Sequence, residues 1–475
     1  MTGAAAIGLE IHVQLKTRSK LFCACPTRFD AEPNAQVCPV CLGHPGVLPV
    51  PNREAVRLAV RFALAVGGEV QARSAWARKN YFYPDLPKGY QITQYEEPLV
   101  RGGALVIGEQ TVRILRMHVE EDAGRSQHPE WVGEETTRID LNRCGIPLLE
   151  IVTAPDLRTP AEAHACLVAL RQLLRYCEVS DAEMEKGQLR CDANLSIRAP
   201  GAPGLGTPTE VKNLNSFRNV ERALTREMER QIALIERGKP IERATMMFDQ
   251  LTGEVRPMRS KEEEPDYRYF PEPDLPALRI EPEEIERERR RLPELPGARR
   301  ERLVRAYRLR PADAELLTAT RQLADAFEAV AAEVPHIEAR QVANLFASDL
   351  RAVPGGLEIG SARLAGLLSL LDQGTLSRRQ VKPVLQAMAG SDREAAQIVR
   401  ERGWVQTEDE ALLRAWAGEV LDAHPDHVAA YLQGKEGLIR FFMGQLMKRS
   451  GGRAHPRKAE KALRDALASR GGAGG

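Results

Sequence analysis

The stretch AIGLEIHVQL, residues 6–15, decides the fold, because apolar and polar side chains alternate along it. Alternation with a period of two is typical of a β-strand with one face in the core. Glu10 and His12 lie two residues apart and therefore project from one face of that strand. Titratable residues at these positions need a reason, so we predict that this face of the strand has a chemical function.

Similar strand-like runs continue to about residue 280, separated by Gly/Pro turns. Asn52 is a predicted N-cap, Pro160 suits a first helical turn, and Gly238 is a predicted C-cap. Short strands interleaved with few helices predict an α+β fold with a mainly antiparallel sheet. The predicted helices span residues 54–66, 160–177 and 219–238.

From Glu281 onward the sequence changes character, because dense mixed charge and prolines indicate a domain junction. All later segments have the apolar spacing of helices and are separated by Gly or Pro, with a second division near Gly403. We therefore predict an N-terminal domain at residues 1–290, a helical domain at 291–403 and a small helical tail domain at 404–475.

The composition is that of an ordinary globular protein, with 43% hydrophobic and 28% charged residues and a net charge of +1. Attraction to nucleic acid must therefore be local. No apolar run reaches the roughly 18 residues that a membrane span needs, and the N-terminus lacks the pattern of a signal peptide. These features predict a cytoplasmic protein without a membrane partner.

Four cysteines form two tight pairs in residues 22–46. Cys23 and Cys25 make one pair and Cys38 and Cys41 the other, the spacing of a four-sulfur zinc site, although the first pair is one residue tighter than usual. Such a site leaves zinc no open position for catalysis, so we predict a structural zinc that fastens a loop. Free or redox-active cysteines are the alternative.

Several further carboxylates lie in or beside strand-like runs, and one of them, Glu150, interrupts an otherwise apolar run in which an unpaired charge would be costly. Hard oxygen donors with at most one imidazole suit Mg²⁺ or Mn²⁺, which bring phosphates into a site. Solvated acids and a histidine in a hydrogen-bond network are the alternative. The additional acidic candidates are Glu120, Glu121, Asp122, Glu150 and Asp192.

Basic and aromatic residues surround these carboxylates in three loops. Lys79 and Lys88 lie in RKNYFYPDLPKGYQITQY, and the others follow at residues 210–218 and 261–276. The loops suit a charged substrate that bears hydroxyl groups, or they are packing elements. Residues 440–475 contain nine Lys/Arg against two acids, which indicates contact with a phosphate backbone or a solvated helix face.

Several common catalytic motifs are missing. There is no P-loop, no dinucleotide fingerprint and no G-x-S-x-G elbow, so metal must hold any nucleotide. No amidase nucleophile is evident either, so the chain is not expected to release ammonia from glutamine by itself.

The chain resembles the family of B subunits of the bacterial aspartyl/glutamyl-tRNA(Asn/Gln) amidotransferase along essentially its whole length. The blocks that carry the resemblance are IGLEIHVQLKTRSKLF (7–22), HPGVLPVPN (44–52), RKNYFYPDLPKGYQITQY (78–95), HVEEDAGRS (118–126), DLNRCGIPLLEIV (140–152), LRCDANLSIR (189–198), EVKNLNSF (210–217), DYRYFPEPDLP (266–276) and GLIRFFMGQLMK (437–448).

The resemblance implies an ATP-dependent carbon–nitrogen ligase with glutamine as amido donor. The side-chain carboxylate of Glu-tRNA(Gln) or Asp-tRNA(Asn) is phosphorylated and then amidated. Ammonia comes through a channel from the amidase, which is the A subunit, and the small C subunit makes the complex a heterotrimer. The cognate aminoacyl-tRNA synthetase is a further candidate partner.

The resemblance also assigns roles to regions and residues. Residues 1–290 become a cradle-shaped catalytic domain similar to that of glutamine synthetase, and the tail grips tRNA. Asp192, Lys79 and Lys88 fall on blocks that line the pocket and the ammonia path. The implied Mg²⁺ ligands are Glu10, His12, Glu120 or Glu121, and Glu150.

Two other functions remain open from the sequence: a tRNA-binding scaffold with a vestigial acidic cluster, and a free-standing amide ligase like glutamine synthetase. The sequence also leaves open whether Glu-tRNA(Gln), Asp-tRNA(Asn) or both are substrates.

Overall fold

A computed structural model describes residues 4–127, 136–198, 201–260, 267–404 and 409–471. The contacts divide the chain after Pro296 into two compact units. The boundaries predicted at residues 290 and 403 stay predictions; residues 405–408, beside the second boundary, and Asp266, in one of the quoted blocks, lie outside the described residues.

All strands in the described part of the chain lie in the N-terminal unit. In chain order the strands are β1 (Ala4–Gln14), β2 (Glu69–Val70), β3 (Arg73–Ser74), β4 (Ala77–Asn80), β5 (Tyr90–Thr93), β6 (Val100–Arg101), β7 (Ala104–Ile107), β8 (Gln110–Glu121), β9 (Arg125–Gln127), β10 (Arg138–Asp140), β11 (Pro147–Thr153), β12 (Leu189–Arg198), β13 (Thr209–Leu214), β14 (Ala244–Phe248), β15 (Val255–Ser260), β16 (Phe270–Pro271) and β17 (Leu278–Arg279).

Ten of these strands form one large sheet, in the order β15-β14-β13-β12-β1-β11-β8-β6-β2 with β7 beside β8. Every neighbouring pair is antiparallel except β13 and β14. The predicted α+β class with a mainly antiparallel sheet is confirmed at this level. Smaller pairings join β9 to β10, β16 to β4 and β5, and β17 to β3.

The first predicted strand, β1, lies inside the sheet between β11 and β12. Ile7, Leu9, Ile11 and Val13 are fully buried in a core that also contains the apolar faces of three helices. The opposite face of β1 carries the polar residues, because successive side chains of a strand point to opposite sides. The core thus fixes one face of the sheet and leaves the other for the site.

The three predicted helices of the N-terminal unit are observed with ends that agree to within one or two residues, and the helix predicted from Pro160 begins there. Asn52 caps the first helix as predicted, since its side chain accepts a hydrogen bond from the Glu54 amide. The third helix begins two residues before the predicted start because Ser216 caps it through the Asn219 amide. The helices of this unit are α1 (Arg53–Ala65), α2 (Pro160–Tyr176), α3 (Phe217–Glu236) and α4 (Pro282–Arg291).

The C-terminal unit is helical, with two separate apolar cores formed by residues 303–399 and 413–467. No helix in the described part of the chain is long and apolar enough to cross a membrane. The remaining helices are α5 (Pro296–Tyr307), α6 (Pro311–Leu317), α7 (Arg321–Glu333), α8 (Ala339–Asn344), α9 (Ser361–Asp372), α10 (Arg378–Ala389), α11 (Ala395–Glu401), α12 (Glu410–Asp422), α13 (Pro425–Leu432), α14 (Ile439–Arg449) and α15 (Pro456–Gly471).

Candidate metal centres

One row of polar residues crosses four neighbouring strands on the polar face of the sheet. The strand pairing sets His118 of β8 beside Glu150 of β11, Glu150 beside His12 of β1, and His12 beside Arg190 of β12. Directly paired residues in antiparallel strands have side chains close enough to interact. The sheet therefore brings together residues that are up to 178 positions apart in the sequence.

Two histidines and two glutamates form the centre of this site. His12 Nε2 lies 3.3 Å from Glu120 Oε1 and 3.4 Å from Glu150 Oε2. His118 Nε2 lies 3.1 Å from Glu150 Oε2 and 3.5 Å from Glu120 Oε2. Both carboxylates are buried, and Thr93 donates a further hydrogen bond of 3.0 Å to Glu120. Each buried charge is thus paired, as burial requires.

The electrostatics of this cluster favour charged imidazoles. Burial lowers the pKa of each histidine, but hydrogen bonds and attraction from Glu120 and Glu150 outweigh it and raise the pKa to about 10 for His12 and about 9 for His118. The same contacts hold the pKa of Glu150 well below its usual value although burial opposes this. A cation that binds here must displace these protons, because a metal-bound histidine is neutral.

The donor set fits a hard divalent cation. One donor atom each from Glu10, His12 and Glu150 lie within 4.8 Å of one another, and the same holds for His118, Glu120 and Glu150. Carboxylate oxygens are the donors that Mg²⁺ and Mn²⁺ prefer. The two groups share Glu150 and contain two imidazoles, where the sequence pattern suggested at most one.

The pKa of Glu10 is shifted upward, whereas the pKa values of Glu120 and Glu150 are shifted downward. Burial and the repulsion of Glu150 raise its pKa, although His12 attracts its charged form. A carboxylate held in this way gains most from a bound cation, which would relieve both costs. The geometry thus brings together Glu10, His12, Glu120 and Glu150, four of the predicted ligands.

Glu121, the other predicted candidate, lies apart from this cluster. It follows Glu120 on β8 and therefore points to the opposite side of the strand. There it accepts hydrogen bonds from Lys88 and, at 2.9 Å, from the Ile92 amide. The structure thus separates the two neighbouring glutamates that the sequence left as alternatives.

Lys88 and Glu121 line a cavity of about 210 Å³ together with the cysteine loop. Gly43 of that loop lies directly against the stem of Lys88, where an added Cβ would come within 2.5 Å of Lys88 Cγ. Gly43 also has a φ of +70°, which residues with a side chain rarely adopt. Lys88 is therefore held between the loop and β8, and it does not contact the acid–histidine cluster in any described interaction.

Lys79 of β4 lies in the field of the cluster. Burial lowers its pKa, but Glu120 and Glu150 outweigh this effect and raise it. Its ammonium group sits 4.7 Å from the centre of the Tyr267 ring. The strand β16 pairs with β4, so the structure brings the first and third basic, aromatic loops together. We call the resulting group of Lys79, Tyr81 and Tyr267 the tyrosine surface.

Asp192 of β12 lies directly opposite Glu10 of β1 in the strand pairing, and it forms a 2.7 Å ion pair with Lys212 of β13. The pairing of β12 with β13 shifts between Cys191 and Ala193. Such an irregularity re-aims side chains, which is common beside active sites. Asp192 lines a cavity of about 610 Å³ together with Gln14 and with Arg190, the strand neighbour of His12.

The four cysteines converge as predicted. Their sulfur atoms all lie within 4.8 Å of one another, and Cys38 Sγ is 3.9 Å from Cys41 Sγ. Tetrahedral zinc with bonds of about 2.3 Å would separate its sulfur ligands by about 3.8 Å. A hydrogen bond from Cys23 lowers the pKa of Cys41 to about 4 although burial opposes it. The donor set and spacing thus fit a structural zinc ion.

The cysteine loop is also attached to the segment before β11. Asn34 and Gln36 of the loop hydrogen bond with Asp140 and Asn142 at 3.1 and 2.8 Å. The fully buried Lys20 has its ammonium group 3.6 Å from Cys41 Sγ. A buried cation offsets part of the negative charge of four thiolates.

The basic terminal run forms exposed parts of two helices. Arg440 and Lys448 of α14 and Lys461 of α15 are exposed. Arg449 and Arg464 form ion pairs with Glu419 and Glu460. Contact of this surface with tRNA stays a prediction.

The sequence reading missed His118 and Arg190 as site residues. His118 stands two residues before Glu120, so the period of two already places both side chains on one face of β8. Arg190 stands two residues before Asp192 on β12 in the same way. The alternation that identified Glu10 and His12 would have found both residues.

Comparison with known proteins gives a uniform result. A family model described as the GatB/GatE catalytic domain matches residues 5–286, and one described as the GatB domain matches residues 325–467. The aspartyl/glutamyl-tRNA(Asn/Gln) amidotransferase B subunit of Moorella thermoacetica is 49% identical over 98% of this chain and 99% of its own length. The proteins of that name from Halorhodospira halophila and Alkalilimnicola ehrlichii are each 47% identical over at least 98% of both chains.

Proposed function

This chain belongs to the family of aspartyl/glutamyl-tRNA(Asn/Gln) amidotransferase B subunits, and from this premise we propose that its acid–histidine cluster is the site where ATP activates the substrate. The chain functions as the B subunit of a tRNA-dependent amidotransferase. The substrate is the side-chain carboxylate of Glu-tRNA(Gln), Asp-tRNA(Asn) or both.

The proposed reaction has two steps. A carboxylate oxygen attacks the γ-phosphorus of ATP, a new P–O bond forms, and ADP leaves. Ammonia then attacks the activated carbonyl carbon, a C–N bond forms, and inorganic phosphate and a proton leave. Activation is needed because a free carboxylate has no adequate leaving group, whereas phosphate is one.

Glu10, His12, Glu120 and Glu150 would hold Mg²⁺, with His118 positioning the two buried glutamates. The bound ion supplies neutralisation of charge on the phosphoryl oxygens. The cavity of about 610 Å³ beside Asp192 is the candidate nucleotide site. Lys79, with its raised pKa, presents a cation to the substrate carboxylate beside the tyrosine surface.

The remaining parts of the complex follow from the family. The amidase, or A subunit, would release ammonia from glutamine, the small C subunit would join the other two, and the cognate aminoacyl-tRNA synthetase is a further candidate partner. Ammonia would enter along Lys88, and the four-cysteine loop would hold zinc as a structural ion. The likeness of the N-terminal unit to glutamine synthetase belongs to the same proposal.

The convergence of Glu10, His12, Glu120 and Glu150 on one face of the sheet carries this proposal. The test is His12→Ala in the reconstituted complex. We expect impaired ATP-dependent phosphorylation with tRNA affinity near that of the wild type. A large loss of tRNA binding with normal phosphorylation would contradict the assignment.

The two alternatives make different predictions. A scaffold without catalysis predicts that Glu10→Ala and Glu150→Ala leave the formation of Gln-tRNA(Gln) unchanged. A free-standing ligase predicts equal ATP cleavage with a free amino acid and with misacylated tRNA, in the absence of partners. Measuring ATP cleavage with each misacylated tRNA in turn also identifies the substrate.

The tRNA-binding role of the tail has its own test. The triple variant R440Q/K448Q/K461Q removes three exposed charges without touching the apolar core of residues 413–467. Each lost phosphate contact should lower the slope of log affinity against log salt by about one. An unchanged slope would contradict a phosphate contact at this surface.

A further inference from the structure

Arg190 is a partly exposed cation, with 40% of its side chain accessible, that the chemistry described so far does not use. It lies on β12 beside His12, at the end of the row formed by His118, Glu150 and His12. Its side chain lines the cavity of about 610 Å³. Arg190 thus lies between the acid–histidine cluster and the cavity, where it can contact both the molecule in the cavity and the reacting atoms.

One edge of the Arg190 guanidinium is anchored and another is left open. Its NH2 donates a 2.7 Å hydrogen bond to Asp122 Oδ1, and Asp122 is almost completely buried. The Nε atom of Arg190 is enclosed by protein and makes no hydrogen bond within the described residues. An anion in the cavity would therefore meet the exposed part of the guanidinium, since 40% of the Arg190 side chain is accessible.

The charges around Asp122 do not balance. Arg143 Nε lies 3.5 Å from Asp122 Oδ2, so two guanidinium groups share one carboxylate. Gln14 contributes a neutral 3.2 Å hydrogen bond to the same oxygen. The group therefore carries one excess positive charge, and both arginines line the cavity. Three further cations, Arg28, Arg125 and Lys186, line it as well, against three acidic residues.

We propose that Arg190 binds the phosphate chain of the nucleotide and presents its guanidinium to the phosphoryl group that is transferred. The inference rests on the proposed function, because it takes ATP as the occupant of the cavity. Asp122 fixes the orientation of the guanidinium, so the planar fork meets phosphate oxygens without reorganisation. Arginine in this role stabilises charge on the phosphoryl oxygens.

The test compares Arg190→Gln and Arg190→Lys with a matched control, Arg113→Gln. Arg113 lies on the same sheet and also pairs with an aspartate, Asp156, but its side chain is more exposed, at 69% against 40% for Arg190, and it does not line the cavity. The affinities of the purified amidotransferase complex for ATP, ADP and AMP in Mg²⁺ are measured by titration calorimetry, with tRNA affinity and melting temperature alongside.

Arg190→Gln should weaken ATP binding about 10- to 100-fold, the effect of a lost charge-assisted contact, and leave AMP and tRNA binding unchanged. Arg190→Lys should also weaken ATP binding selectively, but by a smaller factor. Lysine keeps the positive charge and lacks the planar guanidinium that contacts two oxygens at once. Arg113→Gln should bind all three nucleotides like the wild type.

Unchanged ATP affinity in Arg190→Gln would overturn the inference, as would equal losses for ATP and AMP. If Arg190→Gln does not fold, Arg190→Lys decides by the same two criteria. A wild-type complex that neither binds nor cleaves ATP would contradict the proposed function itself. If the wild-type complex cleaves ATP and Arg190→Gln binds ATP as tightly as the wild type, only the role of Arg190 would be contradicted.

Discussion

The N-terminal unit contains two clusters of side chains that could hold a metal ion, and they differ in their donor atoms and in the elements that carry them. The acid–histidine cluster takes oxygen and nitrogen donors from three adjacent strands of the sheet, and Arg190, the strand neighbour of His12, lines a cavity of about 610 Å³. The four-cysteine cluster takes only sulfur from a loop that is bonded to its neighbours. Donors on strands provide a rigid seat for chemistry, whereas four thiolates saturate zinc and can only hold a loop together.

The largest effect is expected from a substitution in the acid–histidine cluster, and it tests whether this cluster, unlike the cysteine cluster, takes part in the chemistry. Glu150→Gln keeps the shape of the side chain but removes the charge that both His12 and His118 contact. We expect ATP-dependent phosphorylation to fall by about 10²- to 10³-fold, the cost of removing one fixed electrostatic partner. Phosphate release by the complex with misacylated tRNA measures it. Glu254→Gln, at an exposed ion pair, is the control, and equal activities of the two variants would contradict a catalytic cluster.

The second prediction concerns stability at the cysteine loop. Cys41→Ser removes one ligand of the predicted zinc, so zinc content should fall from one per chain to near zero. The N-terminal unit should lose several kcal/mol of stability, or about 5–10 °C in melting temperature. Elemental analysis and calorimetry measure both. Cys166→Ala, a buried cysteine in α2, should keep its zinc. Retained zinc in Cys41→Ser would remove the structural assignment.

The third prediction separates the two histidines of the acid–histidine cluster. His118 contacts Glu120 and Glu150, and His118→Asn would release both carboxylates from one partner. We expect the Mg²⁺ concentration for half-maximal ATP cleavage to rise about 10- to 100-fold, as for other groups that orient metal ligands. His164→Asn, on α2, serves as the control. An unchanged Mg²⁺ requirement would limit His118 to packing.

The smallest effect is expected from Lys20. Lys20→Met removes the ammonium group beside Cys41 but keeps a side chain of similar length. Zinc affinity, measured by competition with a chelator, should fall about 10-fold. Lys16→Met, which removes an exposed ion pair with Asp181, should not change it. Equal zinc affinities would mean that Lys20 does not balance the charge of the thiolates.

Local patterns of the sequence predicted much of the fold. The alternation in β1 identified a strand and its functional face, and capping residues such as Asn52 located helices to within one or two positions. The start of α3 lies two residues before the predicted one, because Ser216 caps the helix through the Asn219 amide. The order of strands could not be predicted, since the neighbours of β1 are set by packing of the whole core.

The sites were predicted to different depths for the same reason. The four cysteines are close in sequence, so their spacing alone indicated a cluster. The acid–histidine cluster combines three distant strands, and only their pairing shows that Glu120 joins it while Glu121 does not. The partners of the cysteine loop, such as Asn142, are equally invisible in the sequence, because long-range hydrogen bonds leave no periodic pattern.

The step from Glu120 to Glu121 joins the two clusters mechanically. Glu120 belongs to the acid–histidine cluster, and the next residue reaches Lys88, whose stem rests on Gly43 of the cysteine loop. A displacement of the loop would be transmitted through one ion pair to the backbone that carries Glu120. The two sites differ in their donor atoms, but both depend on the contact of Lys88 with Glu121 and Gly43. A substitution that displaces the cysteine loop would therefore lower catalytic activity although no residue of the acid–histidine cluster is changed.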